Sequence, residues 1–369
     1  MTDAHTMMQA AVRDGVFPAA ELLIAREGTI AHHGRYGAAT AQTIFDVASL
    51  TKVIVTTTRM MQLAAAGRLQ LDDTAARHLP ELAESPYGAV PLRRFLSHTA
   101  GFPAWQPYFR GVPERKLGTP DGYALILQNI MHEPPAYSPG TACVYSDLGF
   151  ILLGALLERV DGRGLEQQCA TEIAAPLGLN DTRFLPLAAS GRAAPGCIAP
   201  LRYAPTEDCP WRKSVLRGAV HDQNCYAMGG VAGHAGLFST AHDLHRFAAV
   251  LTTCWRGTND WIASATVHAF FDFDRLTTPP HGTYLCGWDT PSPTNSQAGR
   301  HFSRHSIGHL GYTGCSLWID LERDWWVILL TNRVHPSVTN EKIKAFRPQL
   351  HDAAYATLFA AGNTGHPHS

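Results

Sequence analysis

Apolar and polar positions divide the chain into three stretches. Near the N-terminus, residues 4–14 place apolar side chains at helical spacing and predict a short amphipathic helix. Residues 20–28 form an apolar run that ends in Glu27-Gly28. Residues 29–37 resume after that turn, so the pair predicts a β-hairpin. Residues 43–46 lead directly into residues 49–66. There Val53, Met60, Leu63 and Ala64 recur at helical spacing and Gly67 supplies a stop, which predicts a helix.

From about residue 74 to 289, helical periods alternate with Pro- and Gly-rich loops, and strand signals are few. Residues 90–98, 123–131, 147–160 and 242–253 read as helices. The third is strongly apolar and stops at Asp161-Gly162. Residues 185–236 hold many Gly, Pro and aromatic residues and read as long packed loops near a cleft. Strands return at residues 303–311, 316–320 and 325–332, the last two joined by the polar turn 321–324. A helix over 340–360 follows, then a frayed tail from Gly362. No internal repeat is visible. This order predicts an α/β fold of the α+β sandwich kind, with an antiparallel sheet flanked by helices. The sheet domain draws on both chain ends, residues 1–73 plus 290–369. A mostly helical domain, residues 74–289, is inserted between them, and the cleft between the two suits a small-molecule substrate.

Composition narrows the classes. The 369 residues are 45% hydrophobic and 17% charged, enough for a large core. The 30 basic and 31 acidic residues leave a formal net charge of -1, so no one-signed field is available for nucleic acid or a membrane surface. No apolar run approaches the roughly 18 residues that span a bilayer. Residues 1–6 lack the basic region and apolar stretch of a signal peptide. The eight cysteines (Cys143, Cys169, Cys197, Cys209, Cys225, Cys254, Cys286 and Cys315) include no Cys-x-x-Cys pair and are scattered as in a reduced protein. The expected location is cytoplasmic, or periplasmic if an upstream signal has been removed. No cofactor or metal is expected.

Candidate chemistry begins at Ser49 and Lys52, which are three apart and share a helix face. A serine hydroxyl needs a base, and a lysine amine becomes one when burial depresses its pKa. The helix N-terminus adds free N–H groups where an oxyanion could form. Alone, the pair reads first as an ordinary serine N-cap. Two further stretches sharpen it. In residues 137–154, the Pro139-Gly140 turn leads to Tyr145 and Asp147 on a loop just before the apolar helix. In residues 308–314, Gly-His-Leu-Gly-Tyr-Thr-Gly, the glycines would let a ligand lie against an edge strand and reach its N–H groups.

With Ser49-x-x-Lys52, Tyr145-x-Asp147 and His309-x-Gly311 in that order, the chain resembles the serine β-lactamase and penicillin-binding-protein superfamily, in its class C-like, esterase branch. The flanks at residues 45–52, 96–101, 233–240 and 329–333 are similar too, and the resemblance spans roughly residues 15–360. It implies the β-lactamase/transpeptidase fold and a role for each matched residue. Ser49 would form an acyl-enzyme. Lys52 and Tyr145 would share the base and relay work, with Tyr145 protonating the leaving group. The backbone N–H groups of Ser49 and Tyr312 would form an oxyanion hole. Asp147, His309, Gly311 and Thr313 would stand on the substrate side, His309 helping to hold a substrate carboxylate or the Tyr145 phenol. Two departures matter. Asp147 replaces the usual Asn, and a carboxylate beside Lys52 would hold the lysine charged and favour Tyr145 as base. His309 replaces Lys and is mostly neutral at pH 7, which shifts the expectation from β-lactams toward an ester or amide.

Other residues have plainer readings. His301, His305 and His309 are spaced by four, but on a loop and strand with no carboxylate to complete a metal set. His242 and His245 read as solvent-facing on a surface helix. His221, Asp222 and His234 read as hydrogen-bonded loop residues. Trp105, Tyr108, Trp211, Tyr226 and Trp288 read as packing before acyl-pocket walls. Trp325 and Trp326 fall on alternate strand faces, so at least one is core. The leading expectation is a serine hydrolase acting on an ester or amide of a small molecule. The alternatives are a D-alanyl carboxypeptidase or β-lactamase-type enzyme on peptidoglycan fragments, and an inactive binding protein of the same fold. The last has no need for Ser49, Lys52 and Tyr145 together.

Overall fold

The computed structural model describes residues 3–187 and 200–359. Its main elements are α1 (Ala4–Arg13), β1 (Ala19–Arg26), β2 (Thr29–Gly37), α2 (Thr58–Ala65), α3 (Asp147–Asp161), α4 (Ala241–Trp255), β3 (Ser306–Leu310), β4 (Ser316–Asp320), β5 (Trp325–Thr331) and α5 (Ile343–Phe359). Shorter helices and strands lie between them.

The two chain ends meet in one antiparallel sheet of order β2-β1-β5-β4-β3. N- and C-terminal segments join at the β1–β5 pair, in register from Ala20 opposite Thr331 to Arg26 opposite Trp325. Both faces of these strands are covered, which is why they read as continuous apolar runs. Leu22, Ile24, Trp325, Val327 and Leu329 pack with Met8 of α1 and Leu350 of α5. Leu23, Ala25, Trp326, Ile328 and Leu330 pack on the other side with Leu244 and Phe247 of α4. Both tryptophans are therefore core.

Position 245 needs correction. His245 is buried, and its Nδ1 accepts the Trp326 indole N–H at 3.2 Å, while His242 is exposed. The buried indole needs an acceptor, and a periodic pattern does not distinguish that use from a surface histidine. Several short strands carry no sequence signal. Phe45–Asp46, Leu237–Ser239 and Arg183–Phe184 form a three-stranded sheet, and Asp208–Cys209 pairs with Ser214–Val215. Two or three residues are too few to show a period. Part of the 185–236 loop stretch and the tail from Gly362 lie outside the described residues. No helix among the described residues is long and apolar enough to cross a membrane.

The helix expected over residues 49–66 is present, but it opens as a π-helix over Lys52–Thr57 before α2. The stretch Val53-Ile54-Val55-Thr56-Thr57 is wholly β-branched, which crowds an α-turn, and Thr58 Oγ1 donates back to the Val53 carbonyl at 3.0 Å. Helix α3 is buried at every position from Leu148 to Leu157, with Ser146 accepting the Leu148 N–H at its start. A helix apolar all round is a central post. It touches the 233 loop through two glycines. A Cβ on Gly154 would sit 2.7 Å from Gly233 N, and one on Gly233 would sit 2.1 Å from the Phe150 carbonyl oxygen. Thr56 Oγ1 donates to the Gly233 carbonyl at 2.6 Å, so the π-turn, α3 and this loop are locked together.

Gly154→Ala is expected to push the 233 loop away and cost about 1–3 kcal/mol in urea unfolding. Gly111→Ala, where a Cβ meets nothing within 4 Å, should change stability by under about 0.5 kcal/mol. Equal effects would show that the glycine contact does not set the loop.

Candidate active site

The chain enters the Ser49 turn in a strained form. Ala48 adopts φ 48°, in the left-handed region that a non-glycine residue rarely occupies. Buried Asp46 holds it there. Its Oδ1 accepts the Ala48 N–H at 2.8 Å, its Oδ2 accepts the His221 N–H at 2.7 Å, and its carbonyl accepts Thr313 Oγ1 at 2.8 Å. Burial pushes the Asp46 carboxyl above its ordinary pKa, and the two N–H bonds oppose this. One residue thus ties the Ser49 turn to the 221 loop and to the turn after β3. Sequence reasoning passes over it because a lone Asp before a helix looks like any capping residue.

Lys52 is fully buried. Its Nζ lies 2.8 Å from Ser49 Oγ, 2.7 Å from Asp147 Oδ1 and 3.2 Å from the His234 carbonyl oxygen. Those three acceptors match the three N–H donors of an ammonium. Burial drives the Lys52 pKa below the ordinary lysine value, and Asp147 opposes the shift without reversing it. Ser49 opens onto a cavity of about 790 Å³.

The Tyr145 phenol stands beside the Ser49 side chain, which opposes the rise of its pKa. Its ring centroid lies 5.0 Å from Lys52 Nζ, 4.6 Å from the His98 ring and 5.7 Å from each of the Tyr284 and His309 rings. Burial first, then Asp147, raises its pKa well above the ordinary tyrosine value. Asp147 thus bears on both candidate bases, disfavouring tyrosinate as well as favouring ammonium.

His98 positions this loop, although the helical period over residues 90–98 marks it only as a helix end. At φ 58° it accepts the Val144 N–H at 2.9 Å and the Tyr137 hydroxyl at 3.0 Å on its carbonyl, and the Ser146 N–H at 3.1 Å on Nδ1. Both neighbours of Tyr145 are thereby fixed. Burial, then Lys52, lowers the His98 pKa well below the ordinary value.

His309 is buried, and its Nδ1 lies 2.8 Å from the Leu310 carbonyl oxygen. A carbonyl only accepts, so Nδ1 carries the proton and Nε2 presents a lone pair. Burial, then Lys52, brings the His309 pKa down to about 3. It is neutral, as expected, but an acceptor cannot help hold a substrate carboxylate, so that role is withdrawn. Thr313 is withdrawn as well, because it is fully buried with its hydroxyl committed to Asp46. The glycines around His309 make room for protein, not ligand. A Cβ on Gly308 would strike the Trp318 ring at 2.1 Å, and one on Gly311 would lie 2.6 Å from the Val47 carbonyl oxygen. Gly311 still lines the cavity, as does the half-exposed Tyr312. Among the described residues, neither the Ser49 nor the Tyr312 backbone N–H is taken by a backbone carbonyl.

His221, Asp222 and His234 are hydrogen-bonded loop residues, as expected, but all three also line the cavity. His234 Nε2 lies 2.9 Å from Asp222 Oδ1, and His221 Nε2 lies 3.3 Å from Glu207 Oε2. Ligand atoms of Asp147, Asp222 and His234 lie within 4.8 Å of one another. Lys52 Nζ lies 2.7 Å from the same Asp147. Of the five aromatic residues weighed as pocket walls, Trp105 alone lines the cavity. Tyr108 donates to Glu133 at 2.5 Å, Trp211 packs on Phe109 and Tyr226, and Trp288 is core.

The chain and its fold have counterparts among known proteins. The Beta-lactamase family profile matches residues 5–350. An Escherichia coli K12 protein, provisionally named D-alanyl-D-alanine carboxypeptidase, is 30% identical over 359 residues, covering 88% of this chain and 80% of its own. A Salmonella agona SL483 protein with the same provisional name is 32% identical over 320 residues, covering 83% and 73%. Among solved structures, EstCE1, a hydrolase with promiscuous acyltransferase activity, superposes with TM-score 0.69 at 23% identity, covering 95% of this chain and 97% of its own. The octameric penicillin-binding protein homologue from Pyrococcus abyssi gives TM-score 0.69 at 17% identity, covering 97% and 77%. These two share the fold.

Asp46→Ala strips the acceptor from two N–H groups, and a buried donor left unpaired costs about 1–3 kcal/mol each. Chemical denaturation should find a loss in that range or twice it, with Asp46→Asn milder. No loss in either variant would show that the carboxylate does not hold the turn.

Proposed function

The chain belongs to the β-lactamase family and is a serine hydrolase of that fold, and we propose that it acts through an acyl-enzyme on Ser49, cleaving an ester or amide of a small molecule. The observation that carries this reading is the 2.8 Å contact between Ser49 Oγ and a lysine with its pKa lowered by full burial. In its neutral form Lys52 takes the Ser49 proton as Oγ attacks the carbonyl carbon. The new ammonium is met by Asp147 and the His234 carbonyl, already in place. The Ser49 and Tyr312 N–H groups stabilise the oxyanion, and one such donor contributes about 3–4 kcal/mol to the transition state. Tyr145, kept protonated by burial, gives its proton to the leaving group. Water then hydrolyses the acyl-enzyme by the reverse relay.

A neutral His309 supports the ester or amide reading, since it provides no cation at that wall. The second reading, a D-alanyl carboxypeptidase, is favoured by the provisional name of the relative at 30% identity. We also propose residues 1–73 with 290–369 as the sheet domain and 74–289 as the inserted one, which the strand order supports. A reducing, cytoplasmic location belongs to the same proposal, supported by seven free cysteines among the described residues.

Ser49→Ala is expected to abolish turnover of a p-nitrophenyl ester, and intact mass to find the acyl adduct only in the unsubstituted protein. Lys52→Ala should slow p-nitrophenyl and alkyl esters alike. Tyr145→Phe should slow the alkyl ester far more, because p-nitrophenolate departs without a proton. Equal losses on both esters in Tyr145→Phe would return the base role to the phenol.

A further inference from the structure

A second cavity lies behind the loop that carries Tyr145. It measures about 150 Å³, and its walls include Arg94, Ser97, Cys143, Phe270, Leu276 and Leu285. Among the described residues, Tyr284 is the one that lines both this cavity and the Ser49 cavity. Its ring stands edge-on to the His98 ring, with centroids 4.6 Å apart at 77°, and lies 5.7 Å from the Tyr145 ring. Burial raises the Tyr284 pKa well above the ordinary tyrosine value, and Asp289, Tyr145 and Cys143 add to the rise. Tyr145 belongs to the wall of the Ser49 cavity and Cys143 to the wall of the second. The phenol thus feels a neighbour from each cavity, as a partition between them would.

The backbone under this ring is held by bonds that do not involve the ring. The Leu285 N–H donates to the Trp288 carbonyl at 2.8 Å, and the Gly287 N–H donates to the Leu96 carbonyl at 2.9 Å. Asp289 bridges back to Tyr284 across this turn, and it exchanges two backbone hydrogen bonds with Gly308 of β3, each at 2.8 Å. Truncating a side chain on a backbone so fixed leaves open space, because the surroundings relax only in part. A space of about 150 Å³ takes a benzene-sized group. Since Tyr145 gives its proton to the leaving group in the mechanism above, a wall 5.7 Å from its ring stands on the leaving side.

We propose that Tyr284 is a specificity-determining partition: its ring confines Ser49 to esters and amides with small leaving groups, and the second cavity is an extension of the leaving side that this ring closes off. The proposal rests on the acyl-enzyme reading, in which Tyr145 protonates the leaving group.

The test uses two matched pairs of esters. Benzyl acetate against ethyl acetate varies the leaving group, and ethyl phenylacetate against ethyl acetate varies the acyl group. Each ratio of kcat/KM is taken within one protein, so a general loss of Tyr145 function cancels. In Tyr284→Ala the leaving-side ratio should rise about tenfold over the unsubstituted protein, with the acyl-side ratio unmoved. Tyr284→Phe keeps the ring and should leave both ratios unmoved. Separately, benzyl alcohol should raise the Tm of Tyr284→Ala but not that of Tyr284→Phe. If Tyr284→Ala does not fold, Tyr284→Val carries both comparisons. An unmoved leaving-side ratio in the truncated variant, a rise on the acyl side instead, or an unmoved Tm overturns the partition. Turnover surviving in Ser49→Ala while benzyl alcohol still raises the Tm of Tyr284→Ala would instead remove the acyl-enzyme reading and leave the partition standing.

Discussion

A lysine sealed from water, with its protons shared among a serine, a carboxylate and a carbonyl, is the constraint on which the site depends. Burying an ammonium is expensive unless it is paired and hydrogen-bonded. Lys52 meets that condition through elements far apart in sequence: Ser49 one turn back, Asp147 at the start of α3, and the His234 carbonyl. Each needs its own support. The π-turn brings Thr56 to the Gly233 carbonyl, and the contact of Gly154 with Gly233 brings the His234 carbonyl within reach. Asp147 stands in the first turn of α3, where the helix dipole favours a carboxylate. The large apolar helix thus serves the chemistry by where it begins and by how closely a loop can approach it.

The opposite side of Ser49 is held by a second network. Asp46 grips the strained Ala48 turn, the 221 loop and Thr313 together, next to Ser49 and Tyr312 in the chain. His98 fixes the backbone on either side of Tyr145. The substitution of Asp for Asn at position 147 then acts on two groups at once. It pulls the Lys52 pKa upward and pushes the Tyr145 pKa upward too, while burial lowers the first and raises the second.

Much of this architecture is legible in the amino-acid sequence. The hairpin, the late strands, the apolar helix at 147–160 and the Ser49 helix all carry strong periods, and three ordered motifs carry the family. What stays hidden depends on chain partners distant in sequence. Nothing local marks His245 as the acceptor for Trp326, nor tells Thr313, turned to Asp46, from a residue facing a ligand. The His309 tautomer depends on the direction of the neighbouring carbonyl, which no pattern encodes. Asp46 and His98 lie in flanks that match the family, but what each holds escapes sequence reasoning for the same reason. Their roles come from what they are buried against, and a lone Asp or His has no period.

The proposed chemistry requires that Lys52 lose its proton where it stands. The direct measurement is an NMR pH titration of the Lys52 side-chain nitrogen, assigned by comparison with Lys52→Arg, in the unsubstituted protein and in Asp147→Asn. The expected midpoint lies below the ordinary lysine value of 10.5, and lower still once the Asp147 charge is gone. A midpoint at or above that value in both proteins would contradict a lysine base.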